Sequence, residues 1–210
     1  RQIPANGYAT SEFLPLAIAA ARAVGVLHEA RVIHKDISPA NIVHNSVTGQ
    51  TKLIDLSIAT TLGREVPTLP ALDMIEGRLR YISPEQTGRM NRDVDQRSDL
   101  YSLGVTFYEM LTGEPPFTLT DPLELLHCHL AKIPATPHEV RHGVPKALSR
   151  IIMKLLEKDP DDRYQSAWGL EVDLRTCAEQ YQAKGRVRFF PLGSQDIATT
   201  LRIPQRLFGR

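Results

Sequence analysis

Several features that mark whole classes of protein are scarce in this chain of 210 residues. It has two cysteines, Cys128 and Cys177, so a disulfide framework is not expected and a reducing compartment is the default. No run of about 18 uninterrupted apolar residues occurs, which argues against a membrane span. The formal net charge is only +1, so neither nucleic acid nor an acidic membrane surface is expected as the main partner. We therefore expect a cytoplasmic protein.

The beginning of the chain also lacks familiar signals. The first residue is Arg1 rather than methionine, and nothing after it resembles a signal peptide. We expect the chain to be a piece of a longer protein. Its composition, 42% hydrophobic and 23% charged, is ordinary for one globular domain with or without a tail.

Apolar residues recur mostly at helical spacing, and this pattern predicts a mainly helical fold. Two short apolar runs, 42–44 and 52–54, predict a small β-hairpin, so the fold class is α+β. The remaining predictions are five helices: from a cap at Thr10 or Ser11 to about Glu29, from a cap at Ser98 to Leu111, from Asp121 onward, over 144–157, and over 166–182.

One loop has the residue types that phosphoryl transfer requires. Residues 34–41 have the form H-x-D-x-x-x-x-N, and we call them the HxD loop. Asp36 is placed to act as a base toward a hydroxyl, and Asn41 is an oxygen ligand for magnesium. Asp55 follows the second apolar run of the hairpin, where a carboxylate magnesium ligand is needed. The predicted site is therefore a magnesium-dependent phosphoryl-transfer site.

Five motifs, in order, resemble those of eukaryotic-type protein kinases. The triplet 34–36 resembles H-R-D, 55–57 resembles D-F-G, and 81–85 resembles the A-P-E end of the activation segment. Residues 98–105 resemble the central helix of the family, and 161–164 resemble its late arginine motif. One such motif can arise by chance, but the ordered set is specific and covers roughly residues 11–182.

The resemblance implies a fold, a reaction and a set of roles. Residues 1–182 are expected to form a protein-kinase-like C-terminal lobe with the N-terminal lobe missing. ATP and Mg²⁺ are the implied cofactors, with Asp36, Asn41 and Asp55 as catalytic residues. Asn41 and Asp55 would bind the metal, and these two with Val43 would bind the nucleotide. The implied function is transfer of the γ-phosphate of ATP to a protein hydroxyl, with serine or threonine favoured.

Two supporting interactions are implied by the same resemblance. The aspartate of the central helix, here Asp99, is expected to hold the backbone of the HxD loop. The arginine of the late motif, here Arg163, is expected to pair with Glu85 of the activation segment. Both interactions are structural, whether or not the protein is catalytically active.

A narrower resemblance concerns the amino-acid sequence of three stretches, 34–43, 83–92 and 164–169. They are similar to the kinase module of large bacterial hybrid signalling proteins, in which an AAA-type ATPase-like region, a GAF domain and a histidine kinase follow the kinase. Residues 191–196 and 203–210 resemble the connection to the ATPase-like region, so we expect residues 183–210 to be a linker. The implied partners are those downstream domains of the same protein and an unknown protein substrate.

Several departures from the kinase pattern leave alternatives open. The Gly-rich loop, the strand lysine and the helix glutamate are missing, so this fragment alone is expected to be inactive. Ser38, Ser57 and Arg78 stand where such kinases usually have lysine, glycine and threonine, and Arg78 could supply the cation that Ser38 lacks. The alternatives are a non-catalytic pseudokinase module for sensing or docking, and a truncated gene product without function.

Three further groups have plainer interpretations. His34 is expected to be a buried packing residue rather than an acid or base. The sequence His127-Cys128-His129 suggests a metal site, but adjacent helical residues point in different directions, so an ordinary helix face is favoured. Thr60, Thr61 and Thr68 lie in the activation segment and could be phosphosites or simply loop residues.

Overall fold

The computed structural model describes residues 3–45, 47–61 and 78–197. Within these ranges the chain is mainly helical, with two small sheets of two strands each. The elements are α1 Thr10–Glu29, β1 Val32–Ile33, β2 Ile42–His44, β3 Thr51–Leu53, β4 Thr60–Thr61, α2 Gln96–Thr112, α3 Pro122–Ala131, α4 Pro137–Val140, α5 Lys146–Leu155 and α6 Ala167–Lys184.

The core is built around α2, most of whose residues are buried. Helix α1 packs on it through Phe13, whose ring meets that of Phe107 edge to face at 5.4 Å. Helix α5 approaches α2 very closely at Gly104, where an added Cβ would lie 2.6 Å from the Cβ of Leu155. A side chain at position 104 would therefore push these two helices apart.

Two antiparallel strand pairs flank the HxD loop in sequence. The predicted hairpin is confirmed as β2 paired with β3, with Val43 opposite Lys52. The pairing of β1 with β4, which joins Ile33 to Thr60, was not predicted, because two-residue strands are too short to show a periodicity of two. The observed architecture is α+β, as expected.

Two helix starts differ from the sequence predictions. Helix α2 is capped by the Asp95 carboxylate, which accepts the amide of Arg97 at 2.8 Å, and Ser98 lies inside the helix. Helix α1 is preceded by Ala9, whose amide donates to Glu12 at 3.3 Å, so the predicted threonine or serine cap is wrong. In both cases an acidic side chain, Glu12 in α1 and Asp95 in α2, accepts an amide at the start of the helix where a hydroxyl cap was expected.

The other predicted helices are confirmed with small shifts at their ends. Asp121 caps α3 by accepting two amides, and Ser166 caps α6. The short helix α4 was not predicted. Within the predicted linker, α6 continues to Lys184, and residues 186–197 lie against the helices instead of leaving the domain. A connection from this tail to a further domain stays a prediction.

Helix α1 is long and apolar enough to cross a membrane if only length and composition are considered. Core helices meet the same criterion, and α1 packs against α6 and has Ala17, Ala20 and Val24 buried. Its apolar face is therefore used inside the protein core in this structure.

Candidate active site

The backbone of the HxD loop is fixed by one buried carboxylate. Asp99, in the first turn of α2, is fully buried. Its Oδ2 accepts the amide of His34 at 2.8 Å, and its Oδ1 accepts the amide of Lys35 at 2.7 Å. The ring nitrogen Nε2 of His28 lies 2.8 Å from Oδ2, and because a carboxylate only accepts, this nitrogen donates. The expected role of Asp99 is confirmed, while His28 was missed.

His34 has the packing role expected of it. The side chain is fully buried, and its Nε2 lies 3.0 Å from the carbonyl oxygen of Ile54, so Nε2 carries the proton. Its Nδ1 accepts the amide of Asp36 at 3.3 Å. The ring therefore connects the loop that holds Asp36 to the strand that precedes Asp55.

The structure brings Asp36 and Asn41 together. The Asn41 amide nitrogen donates to the Asp36 carbonyl at 2.8 Å and to its carboxylate at 3.2 Å. This contact orients the Asp36 carboxylate, and it leaves the amide oxygen of Asn41 as the atom chemically suited to a cation.

Asp55 is placed beside the same loop by the residue before it. The Ile54 amide donates to the Asn41 carbonyl at 3.0 Å, while the Ile54 carbonyl accepts from His34. Asp55 has φ +62° and Lys35 has φ +67°. Left-handed backbone at residues other than glycine is uncommon and is concentrated at functional sites. Lys35, which precedes the candidate base Asp36, has this conformation, and so does the candidate metal ligand Asp55 itself.

A set of apolar side chains near Asp55 is exposed, and with Asp55 we call it the open face. Val43 is 49% exposed and Leu56 is 50% exposed. Ile54 and Ile58 are exposed too. Val43 lies on the strand paired with β3, and the other three lie within three residues of Asp55 in the chain. Large exposed apolar patches mark sites of ligand or domain contact. Ser57 does not have a positive φ, so the serine that replaces the family's glycine is accommodated without backbone strain.

The end of the activation segment is tied to the helical core by a buried ion pair. Arg163 contacts both carboxylate oxygens of Glu85, at 2.8 Å and 2.9 Å. Both side chains are almost fully buried. The hydroxyl of Ser98 donates to the same carboxylate at 2.7 Å, which explains why this serine is not a helix cap. The expected Glu85–Arg163 pair is confirmed.

Gln86 connects the activation segment to the HxD loop, and no sequence pattern indicated it. Its side-chain nitrogen donates to the Lys35 carbonyl at 2.9 Å, and its side-chain oxygen accepts the amide and hydroxyl of Ser83 at 3.1 Å and 2.9 Å. The Lys35 backbone is therefore held on its amide side by Asp99 and on its carbonyl side by Gln86.

A polar cluster behind Arg163 has strongly shifted ionisation. The hydroxyl of Tyr101 lies 3.0 Å from Nδ1 of His129 and accepts from Lys158 at 3.2 Å. Burial, assisted by the Lys158 charge, lowers the pKa of His129 to about 3. Burial, assisted by the Arg163 charge, lowers the pKa of Lys158 to about 8. His129 is therefore neutral at physiological pH.

Other predicted positions are only partly described. The three side chains of the His127-Cys128-His129 run separate, since His127 is exposed and the other two are buried. In the ranges that the structure covers, no group of three or more His, Cys, Asp or Glu residues converges as a metal site. The side chain of Arg78 and all of Thr68 lie outside the described residues, so their proposed roles stay predictions.

Comparison with known proteins gives a consistent family. The protein kinase domain family model matches residues 8–172. Over 166 residues, or 79% of this chain, the sequence is 36% identical to a probable serine/threonine-protein kinase of Streptomyces coelicolor. Over 155 residues, or 74% of this chain, it is 37% identical to the serine/threonine-protein kinase PknB of Mycobacterium tuberculosis. Each match covers 24% of the relative.

A third relative has a different kind of name. Over 94 residues, 45% of this chain, the sequence is 60% identical to hybrid signal transduction histidine kinase G of Dictyostelium discoideum, and the match covers 3% of that protein. The chain thus spans about a quarter or less of the length of these relatives. Because the family model matches most of its residues, the chain belongs to the protein kinase domain family.

Proposed function

We propose that this chain is the catalytic lobe of an ATP-dependent protein kinase that phosphorylates protein hydroxyl groups. The observation that carries the proposal is the connection of Asp36, Asn41 and Asp55 through the Asn41–Asp36 contact and the two backbone hydrogen bonds of Ile54. The serine/threonine kinases among the relatives favour serine or threonine as the acceptor.

Each candidate residue has a role that its chemistry suits. Asp36 would orient the acceptor hydroxyl and take its proton at a carboxylate oxygen. Oxygen atoms of Asn41 and Asp55 would hold Mg²⁺, which prefers carboxylate and carbonyl oxygens. When bound, Mg²⁺ would neutralise charge on the phosphates. Val43 would contact the adenine ring through its exposed apolar side chain.

The open face supports the finer proposal that this is a C-terminal lobe. Val43, Ile54, Leu56 and Ile58 expose apolar surface beside the candidate site. In a complete kinase domain of the parent protein, an N-terminal lobe and the nucleotide would cover this surface. That lobe would also supply the lysine and the Gly-rich loop that hold the phosphates.

The wider context is proposed from the relatives and from the tail. The similarity to a hybrid histidine kinase supports a multidomain signalling protein, in which ATPase-like and histidine kinase domains would follow this one. The Streptomyces and Mycobacterium relatives are compatible with bacterial signal transduction. We propose a cytoplasmic location for the domain, as ATP is its substrate.

A non-catalytic module is the second candidate, and one observation favours it. Ser38 is buried in the HxD loop, 8% exposed, and it supplies no cation where such kinases usually have a lysine. A domain of this kind would bind nucleotide or a partner without transferring phosphate. Magnesium-dependent ATP binding without transfer would favour it.

The test is phosphoryl transfer from labelled ATP with Mg²⁺, measured with the full-length parent protein. Incorporation should disappear in Asp36→Ala and persist in Asp93→Ala, a matched control because Asp93 is an exposed aspartate. Equal incorporation in Asp36→Ala would refute the role of Asp36. Absence of incorporation in a folded, ATP-binding protein would establish the non-catalytic candidate.

A further inference from the structure

Residues 186–197, which we call the strap, lie beyond the segment that matches the kinase family and yet pack on the domain. The family match ends at residue 172. Val187, Phe190 and Leu192 of the strap are partly buried against the main core. A solvated linker would not be expected to place three apolar side chains on the core at such short spacing.

The strongest contact of the strap is made by one carboxylate at the start of α6. Asp196 accepts the amide of Gln165 at 2.6 Å through Oδ2. Its Oδ1 accepts the amide of Ser166 at 2.9 Å and the hydroxyl of Ser166 at 2.7 Å. A helix N-terminus favours a negative charge, and here three donors converge on the carboxylate group.

Gly169 appears in α6 where it leaves room for this carboxylate. An added Cβ would lie 2.4 Å from Oδ1 and 2.5 Å from Cβ of Asp196. Glycine inside a helix is less favourable than alanine, and the helix itself gains nothing from it. The absence of a side chain at position 169 is therefore explained by the strap.

Two further contacts hold the strap along its length. The Gly193 amide donates to Asp173 at 2.7 Å, and the same carboxylate oxygen accepts the Tyr164 hydroxyl at 2.6 Å. The Arg150 guanidinium lies 4.3 Å from the centre of the Phe189 ring. Asp173 is 2% exposed, so this carboxylate lies at a buried junction between α6 and the strap.

We propose that the surface formed by α5 and α6 is a docking site for the strap of the same chain, with Asp196 as its latch. The latch fixes the path of the strap over α5 and α6 as far as Asp196. A fixed strap would set the direction in which any following segment leaves the domain. This inference does not depend on catalytic activity.

The test is residue-resolved amide hydrogen exchange by NMR on the intact chain. In Gly169→Ala, the new methyl group displaces Asp196 although alanine favours the helix. In Asp196→Asn, the charge and one acceptor oxygen are lost while the shape is kept. In both variants the amides of Gln165, Ser166 and Gly193 should exchange faster by roughly tenfold.

The controls separate release of the strap from general unfolding. Core amides such as those of Leu103 and Ile152 should keep their wild-type protection in both variants. Asp121→Asn, which alters the carboxylate cap of α3, should change amides of α3 and leave the strap protected. Unprotected strap amides in the wild type, or unchanged exchange at Gln165 and Ser166 in both variants, would overturn the proposal.

Discussion

The candidate site has a buried support and an exposed face, and these two regions differ in almost every physical respect. The buried support contains Asp99, Glu85 and Arg163, which are buried and each make several hydrogen bonds. The open face contains Val43 and Asp55, which are exposed. Residues that determine geometry are thus separate from residues that would meet nucleotide and metal.

This separation has a consequence for mutagenesis. A change in the buried support removes partners from buried polar groups and should cost stability. A change on the open face should cost little stability, even where it abolishes ligand binding. The following predictions test the contrast, beginning with the largest expected effect.

Replacing Arg163 with alanine should be the most destabilising of these changes. It leaves the Glu85 carboxylate buried without its cation, and breaking a buried ion pair in this way costs about 3–5 kcal/mol. Urea unfolding followed by circular dichroism would measure the loss in the free energy of unfolding.

Arg22→Ala is the matched control for that measurement. Arg22 pairs with Glu171 at 2.9 Å, a similar distance, but its side chain is 53% exposed. Glu171 is itself buried but keeps a second cation, Arg175 at 2.8 Å, so the loss should be about 0–1 kcal/mol. Equal losses in the two variants would show that burial does not distinguish the two ion pairs.

Asp99→Asn should cost less but should act directly on the HxD loop. The amide keeps one acceptor oxygen and presents an NH₂ group to a backbone amide of His34 or Lys35. An unsatisfied buried donor costs about 1–3 kcal/mol. Hydrogen exchange of these two amides should accelerate together with the loss of stability. Unchanged exchange there would mean that other contacts, such as that of Gln86, suffice to hold the loop.

The stability of the buried support should also depend on pH, through His129 in the polar cluster behind Arg163. Burial depresses the pKa of His129 to about 3 in the folded chain, from 6.5. Below pH 6.5 the unfolded chain therefore binds a proton that the folded chain does not. The associated stability is fully present above that pH and is lost as the pH falls toward 3, with a slope of up to about 1.4 kcal/mol per pH unit.

His129→Phe provides the comparison, because phenylalanine keeps the aromatic packing against Phe117 and cannot titrate. Urea unfolding of both proteins from pH 7 to pH 4 should show a steeper loss in the wild type. Parallel curves would show that His129 is protonated in the folded state at these pH values.

The sequence predicted those parts of the molecule that depend on local pattern and on ordered motifs. The main helices, the hairpin and the Glu85–Arg163 pair all followed from it. The role of Gln86 did not, because a single polar side chain that bonds to a distant backbone carbonyl leaves no periodic signal. The caps of α1 and α2 were misassigned because several capping residues stood close together. The packing of the strap depends on a contact between Asp196 and Gly169, residues far apart in sequence.

The smallest effect on stability is expected at Asp55, where the contrast between the two regions is sharpest. Asp55 is exposed with φ +62°, and asparagine tolerates this backbone conformation. Asp55→Asn should therefore change the free energy of unfolding by less than about 0.5 kcal/mol, while the loss of charge should abolish magnesium-dependent ATP binding by the parent protein. Asp55→Val is the control for the backbone, since a β-branched residue is strained there and should cost about 1–3 kcal/mol. A large loss of stability in Asp55→Asn would place this residue with the buried support. Retention of magnesium-dependent ATP binding would remove it from the proposed metal site.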